Sequence, residues 1–276
     1  MTYQLAINEE PPAALSRVLQ ELLMDSRNLL LNPVNSSAEK AVHETRKNMK
    51  RARAALRLLR PHIQADVFDL WNHKFRDVGR AISETRDRRV ILLAVDKLLK
   101  SEMKSPSKTR ALQTFQRTLR DISNHALHST AESVGTARMK IDELLTLMPV
   151  FPILTKSTSG YKKGFQASLR ATAKAMKKCG KNPNPEKVHQ LRKRTKDLLY
   201  QTQMLQPREA KALKQLDRLS DWLGNHHDLA MVAEKADSCV LQDLLSAEDA
   251  RTIHHLLARK QRRLWEKARS HRNGFP

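Results

Sequence analysis

Two stretches of this chain place one histidine and three cations on a single helical face, a pattern suited to holding phosphate oxygens. The first runs Val42-His43-Glu44-Thr45-Arg46-Lys47-Asn48-Met49-Lys50, and the second Val188-His189-Gln190-Leu191-Arg192-Lys193-Arg194-Thr195-Lys196. Both read V-H-x-x-R-K-x-x-K, offset by 146 residues. Arginine presents a planar fork that meets two oxygens at once, and lysine a compact ammonium. The imidazole can donate to a phosphate oxygen whether neutral or protonated, and a cluster of phosphates would favour the cation.

A helical wheel sharpens the pattern. His43, Arg46, Lys47, Lys50 and Arg57 fall within an arc of roughly 120°, with Arg53 near its edge. Met49, Ala52, Ala55, Leu56 and Leu59 take the opposite side. In the second copy His189, Arg192, Lys193 and Lys196 share one face, continued by Tyr200 and Gln203, while Val188, Leu191, Leu198, Thr202 and Leu205 share the other. The ordinary explanation of charge along a helix is a solvated surface. Solvated helices, however, usually mix signs, because like charges at i,i+4 repel. From Thr45 to Arg60 there are seven basic residues and no acidic one, and from Lys187 to Lys196 five and none. Repulsion tolerated twice points to a bound anion that relieves it.

These faces must be carried by helices. Only 7 glycines occur among 276 residues, Leu, Ala, Arg and Lys are abundant, and apolar residues recur at helical spacing. The periodicity predicts helices over residues 12–31, 37–60, 62–85, 88–102, 107–132, 137–147, 161–179, 185–206, 208–224, 228–240 and 247–270. Asn32-Pro33, Pro61, Ser105-Pro106, Pro149 with Pro152, Asn182 to Pro185 and Pro207 punctuate them. Met148 to Gly160 is the expected divide between an N-terminal half, 12–147, and a C-terminal half, 160–270, within one domain spanning 1–276. The offset of 146 also pairs Pro61 with Pro207 and Arg17 with Lys163. An offset of 141 pairs Val78, Ile82, Asp87 and Val90 with Leu219, Leu223, Asp228 and Met231. The expectation is an all-α fold: two related helical bundles, an internal duplication with pseudo-twofold symmetry.

Lys and Arg total 51 against 29 Asp and Glu, a net charge of +22. Such an excess calls for a polyanionic partner: nucleic acid, a phosphate polymer or an anionic membrane surface. Aromatics make up 4% of residues, few for stacking single-stranded bases. The two cysteines form no C-x-x-C pair, which argues against a disulfide framework or a cysteine zinc site and fits a reducing compartment. Met1 to Glu10 lacks the pattern of a signal peptide, and the longest apolar run, Val90 to Val95, is too short to span a bilayer. A cytoplasmic location is expected.

The paired signature resembles that of the CHAD family, helical domains named for their histidines. The likeness includes a second signature, Arg86-Asp87 and His227-Asp228 before hydrophobic helices, and runs from about residue 12 to 270. The resemblance implies two four-helix-bundle-like halves around a basic surface and central channel that bind inorganic polyphosphate without catalysis. It assigns the polymer contacts to His43, Arg46, Lys47, Lys50, Arg53 and Arg57, then to His189, Arg192, Lys193 and Lys196, with Arg17 and Lys163 as extensions. Asp197, Leu199 and Tyr200 stand where the first copy has Arg51, Arg53 and Ala54, so the second copy is expected to grip less beyond its first two turns.

Competing chemistry finds less support. Asn225-His226-His227-Asp228 suggests a metal phosphohydrolase, but the first copy has no histidine pair there. Asp87 and Asp228 are more simply expected to cap helices. His254-His255 lies in a basic helix and reads as surface or core edge. Gly160-Tyr161-Lys162-Lys163-Gly164 lacks P-loop spacing, and no G-x-S-x-G or H-E-x-x-H occurs. The reading is therefore no enzyme, no cofactor and no metal, with inorganic polyphosphate as partner and polyphosphate granules as the expected setting. A nucleic-acid-binding helical protein is the alternative; it shares the charge argument but shows no helix-turn-helix or base-reading element.

Overall fold

The computed structural model describes residues 3–4, 9–31, 38–58, 60–124, 127–148, 159–205 and 209–271. Asn32-Pro33, Leu59, Pro149 with Pro152, most of the expected divide at 148–160, and Pro207 lie outside them. The described residues form ten α-helices and no strand: α1 Pro11–Leu31, α2 Ala38–Leu58, α3 Ala65–Ala81, α4 Ser83–Glu102, α5 Pro106–Asn124, α6 Leu127–Leu147, α7 Ser159–Cys179, α8 Pro185–Leu205, α9 Ala210–Leu241 and α10 Ala247–Ser270. A short 3-10 turn, Arg60–His62, follows α2.

Helix starts follow local chemistry. Proline opens α1, α5 and α8, where its missing N–H costs nothing. The Asn184 side chain accepts from the Lys187 amide at 2.9 Å, capping α8. Ser246 accepts from the Asp249 amide at 3.0 Å, and Glu248 and Asp249 add negative charge to the first turn of α10. Gly180 ends α7 with φ +62°.

Three boundaries differ from expectation. Helix α9 is continuous through residues 225–227, where a break was expected. The polar run Gly224-Asn225-His226-His227 resembles a loop, yet Leu223, His226, Leu229 and Ala230 are all buried at helical spacing, and packing overrides composition. Helix α5 runs to Asn124 and α6 spans Leu127–Leu147, so residues 133–136, where a break was expected, are helical and Gly135 lies inside α6. The expected 62–85 helix ends at Ala81; Ile82 is the one residue that separates α3 from α4. Ile82 matches Leu223 of the continuous α9, so aligned segments are interrupted in one place and continuous in the other.

One buried cluster joins α1, α2, α3 and α6, with Phe75, Leu15, Leu19 and Leu22 among its fully enclosed side chains. A second joins α4 and α5 to the later part of α9 and to α10. A third joins α7, α8, the early part of α9 and the end of α10. Helices of both sequence halves thus share apolar contacts. The wheel faces hold: Met49, Ala52, Ala55 and Leu56 of α2, and Val188, Leu191, Leu198 and Thr202 of α8, are buried. Each large aliphatic side chain buried this way contributes about 1.5–3 kcal/mol.

Helices α2 and α8, bearers of the two motif copies, lie against each other. The Gln201 amide donates to the Ala54 carbonyl at 2.9 Å in the buried interface. Helix α7 backs onto the same place. A Cβ at Gly164 would sit 2.6 Å from the carbonyl oxygen of Leu58 and 2.9 Å from its Cα, backbone atoms that cannot turn aside. Gly164→Ala should therefore cost about 1–3 kcal/mol from overpacking, more than the roughly 1 kcal/mol alanine gains in a helix. Gly135→Ala meets nothing within 4 Å and should add roughly 0.5–1 kcal/mol. Thermal melts of both variants check the pair; an unchanged melting temperature for Gly164→Ala would refute the tight α7–α2 contact.

Candidate functional site

Helices α2, α4, α8 and α9 enclose a cavity of about 510 Å³ whose walls take side chains from both motif copies. His43, Arg46, Lys47 and Lys50 come from α2, and Arg192 and Lys196 from α8. Arg51 and Arg86 bring the lining to seven Lys and Arg, facing four aspartates: Asp87, Asp217, Asp221 and Asp228. Positive charge is in surplus even with every carboxylate ionised.

Hydrogen bonding leaves much of that charge available. Arg46 donates to the Gly79 carbonyl at 2.9 Å and stands 3.8 Å from Asp87. Arg86 donates through Nε to His43 Nδ1 at 3.3 Å. Arg51 lies over the rings of Tyr3 and Tyr200, and Lys196 over Tyr200. Lys50 and Arg192 form no ion pair among the described residues. Of the lining residues, Arg192 Nε, Arg86 Nη1 and Ser220 Oγ are buried and make no hydrogen bond among the described residues. Buried donors are nearly always satisfied. Several unsatisfied ones around a cationic cavity are what an oxyanion site requires.

The cluster perturbs its own members. Burial, then Arg192, Arg46 and Lys196, push Lys50 down to about 7. Lys50 nevertheless keeps an open side toward the cavity. Water there screens part of that repulsion, so Lys50 is lowered less than a fully enclosed ammonium would be. Burial first, and Lys193 and Arg192 next, push His189 down to about 4. Burial first, and Arg192 next, push His227 down to about 3. Both rings are neutral near pH 7 as the protein's own charges set them. His43 is lowered too, by burial and then Arg86. Burial likewise raises Asp228, against the pull of Arg192 and Arg86.

The remaining expected residues are elsewhere. His189 contacts the His227 ring, centroids 4.3 Å apart, so His227 presents the second copy's imidazole to the cavity. Lys193 is exposed and outside the lining. Arg53 donates to Asn72 Oδ1 at 3.0 Å. Arg57 is paired with Asp197 at 3.2 Å. Arg17 is held by Glu9 and Glu21, both at 2.7 Å. Lys163 is exposed on α7. The aspartates expected as caps are not caps. Asp228 lies in the interior of α9, and Asp87 is already in the second turn of α4; both line the cavity opposite guanidinium groups. Their equivalence at the offset of 141, with Arg86 against His227, is the sequence signal that pairs them across the two copies, although it does not by itself distinguish a cavity wall from a cap.

His226 is buried and outside the lining, so the two neighbouring histidines diverge. Among the described residues no three His, Cys, Asp or Glu side chains converge to hold a metal ion. No helix formed by them is long and apolar enough to cross a membrane.

An all-helical architecture with a cation-lined cavity between its helices defines the class. The CHAD domain family model matches residues 13–237, and the chain belongs to that family. The crystal structure of the CHAD domain from the plant Ricinus communis superposes with a TM-score of 0.69 at 17% identity, covering 95% of this chain and 88% of that one. No curated protein matches.

The Lys50 environment has a consequence for stability. Below the folded value, Lys50 is charged in both states and the fold bears its repulsion. Above it, the unfolded chain holds the proton that the folded one has lost, so stability rises with pH until the ordinary lysine value near 10.4. Lys50→Met removes the effect. The variant should melt higher than wild type at pH 6–7, and the gap should close toward about pH 10. A gap independent of pH, measured by melts across that range, would mean Lys50 is not under charge stress.

Proposed function

We propose that this protein binds inorganic polyphosphate in the cavity between α2 and α8, without catalysing its breakdown. The observation that carries the reading is the cavity lining: cations from both motif copies, in excess over carboxylates, with buried donors left unsatisfied. Membership of the CHAD family supports it. Polyphosphate carries about one charge per phosphate and has no bases to stack or read. Lysine and arginine hold such a chain through charge-assisted hydrogen bonds and counterion release, as they hold a nucleic-acid backbone. Among the described residues Tyr200 is the one Phe, Tyr or Trp lining the cavity, and Arg51 and Lys196 already lie over its ring. That favours phosphate chains over single-stranded nucleic acid. A cytoplasmic role in targeting or organising polyphosphate granules follows from the same reading.

Reversing charge at Arg46, Lys50, Arg192 and Lys196 together should abolish binding of long-chain polyphosphate. Helicity should persist and the melting temperature should hold or rise. Collapse of the fold would assign these residues to structure instead. Competition with duplex DNA and RNA at equal phosphate concentration and fixed salt tests the ligand; displacement of polyphosphate by either transfers the reading to nucleic acid. Divalent-ion-dependent phosphate release, lost in His227→Ala, would replace binding with hydrolysis.

A further inference from the structure

A second, smaller cationic pocket lies where the end of α2 meets α7 and α8. It measures about 250 Å³ and shares no lining residue with the central cavity. Arg57, Arg60 and Arg194 form its charged wall, with Asp197 as the opposing carboxylate. Arg57 is tethered, donating to Asp197 at 3.2 Å and to the Arg53 carbonyl at 2.9 Å. Arg60 stacks over the Phe68 ring at 4.4 Å. Neither Arg60 nor Arg194 has an ion-pair partner among the described residues. The floor is made of small residues of α7, Gly164 and Ala167 among them, with the Ser168 hydroxyl on the same wall. A ligand can therefore approach the backbone closely while guanidinium groups reach it from the sides.

Charge counting selects the ligand. Three guanidinium groups against one carboxylate leave a surplus of two positive charges. The end group of a phosphate chain approaches two negative charges above a second pKa of about 6, as a phosphate monoester does, and free orthophosphate does so at somewhat higher pH, whereas a phosphate inside a chain carries about one. We propose that this pocket binds a phosphate dianion, either free orthophosphate or the end group of a phosphate chain. Arg60 and Arg194 supply the unpaired charge, and Arg57, fixed by Asp197, supplies oriented N–H donors. The proposal stands whether or not the central cavity holds polyphosphate.

The test follows the backbone amide signals of Gly164 and Ser168 by NMR in the full chain, at about pH 8, where both a chain's end group and free orthophosphate are mainly dianionic. Sodium orthophosphate should shift them saturably in wild type and equally in Lys50→Gln, which alters only the central cavity. The double variant Arg60→Gln/Arg194→Gln breaks no ion pair among the described residues and should weaken the response about tenfold or more. Two further arms use long-chain polyphosphate with free ends and the same chain with both ends blocked as phosphoramidate esters. A larger shift with free ends identifies chain ends as a source; a response to orthophosphate alone identifies free phosphate. Signals unmoved by orthophosphate, a double variant that titrates like wild type, or a blocked chain that shifts the signals as strongly as orthophosphate does would each overturn the proposal. Loss of polymer binding in Lys50→Gln with these signals intact separates this site from the central one.

Discussion

The cost of gathering like charges between helices governs how this molecule is built. At an effective dielectric near 20, two unit charges about 6 Å apart repel by roughly 3 kcal/mol, against a total stability for a typical domain of about 5–15 kcal/mol. Seven cations around one cavity can be held only if most of the stabilisation comes from elsewhere. Here it comes from the apolar faces of the same helices. Ala52, Ala55 and Leu56 are fully buried on α2 while Arg46 and Lys50 line the cavity, so each turn contributes favourable burial on one side and repulsion on the other. The four aspartates moderate the repulsion without cancelling it. Asp87 stands 3.8 Å from Arg46, beyond a close ion pair, and Asp228 acts on Arg192 only across a distance.

The same economy explains why the histidines differ from the lysines and arginines. A guanidinium cannot shed its proton at neutral pH and must bear the surrounding charge. An imidazole can yield, and His189 and His227 do so, because burial and the neighbouring cations both favour the neutral ring. Neutral rings pack against each other at 4.3 Å where two cations would not. The histidines thus let the helices close around the cavity without adding to its repulsion, and each remains able to donate one N–H.

Much of this was legible in the sequence, and the reasons are specific. Helical periodicity placed α2, α7, α8 and α10 within a residue or two, since proline, asparagine and serine mark their starts. The wheel separated Met49 and Leu56 from Arg46 and Lys50 because one face packs and the other does not. Legibility failed where a residue's surroundings come from distant segments. Asp87 and Asp228 precede apolar runs, as caps do, and nothing local reveals that guanidinium groups of other helices face them. Arg17 looked like an extension of the stripe, but Glu9 and Glu21 already hold it. Gly224 and Asn225 read as a break, yet Leu223 and Leu229 continue the buried stripe of α9 through them.

Arg57 shows how packing can divide what a wheel unites. It lies on the same face of α2 as Arg46 and Lys50, about three turns along, or roughly 16 Å from Arg46 at 1.5 Å per residue. Helix α8 rests against α2 near Ala54, where Gln201 bonds the backbone, and Arg57 emerges beside Asp197 instead of in the central cavity. Asp197 is one of the positions at which the second copy departs from the first, which has Arg51 there. An arginine at 197 would set a further cation against Arg53 and Arg57 at a site that is itself largely buried, where a carboxylate is tolerated because three guanidinium groups offset part of its desolvation. The departure between the copies is therefore a requirement of the crossing: two stripes of identical charge could not be packed against each other at this point, and the acidic residue that permits it also ends the central stripe and orients Arg57 toward a separate pocket.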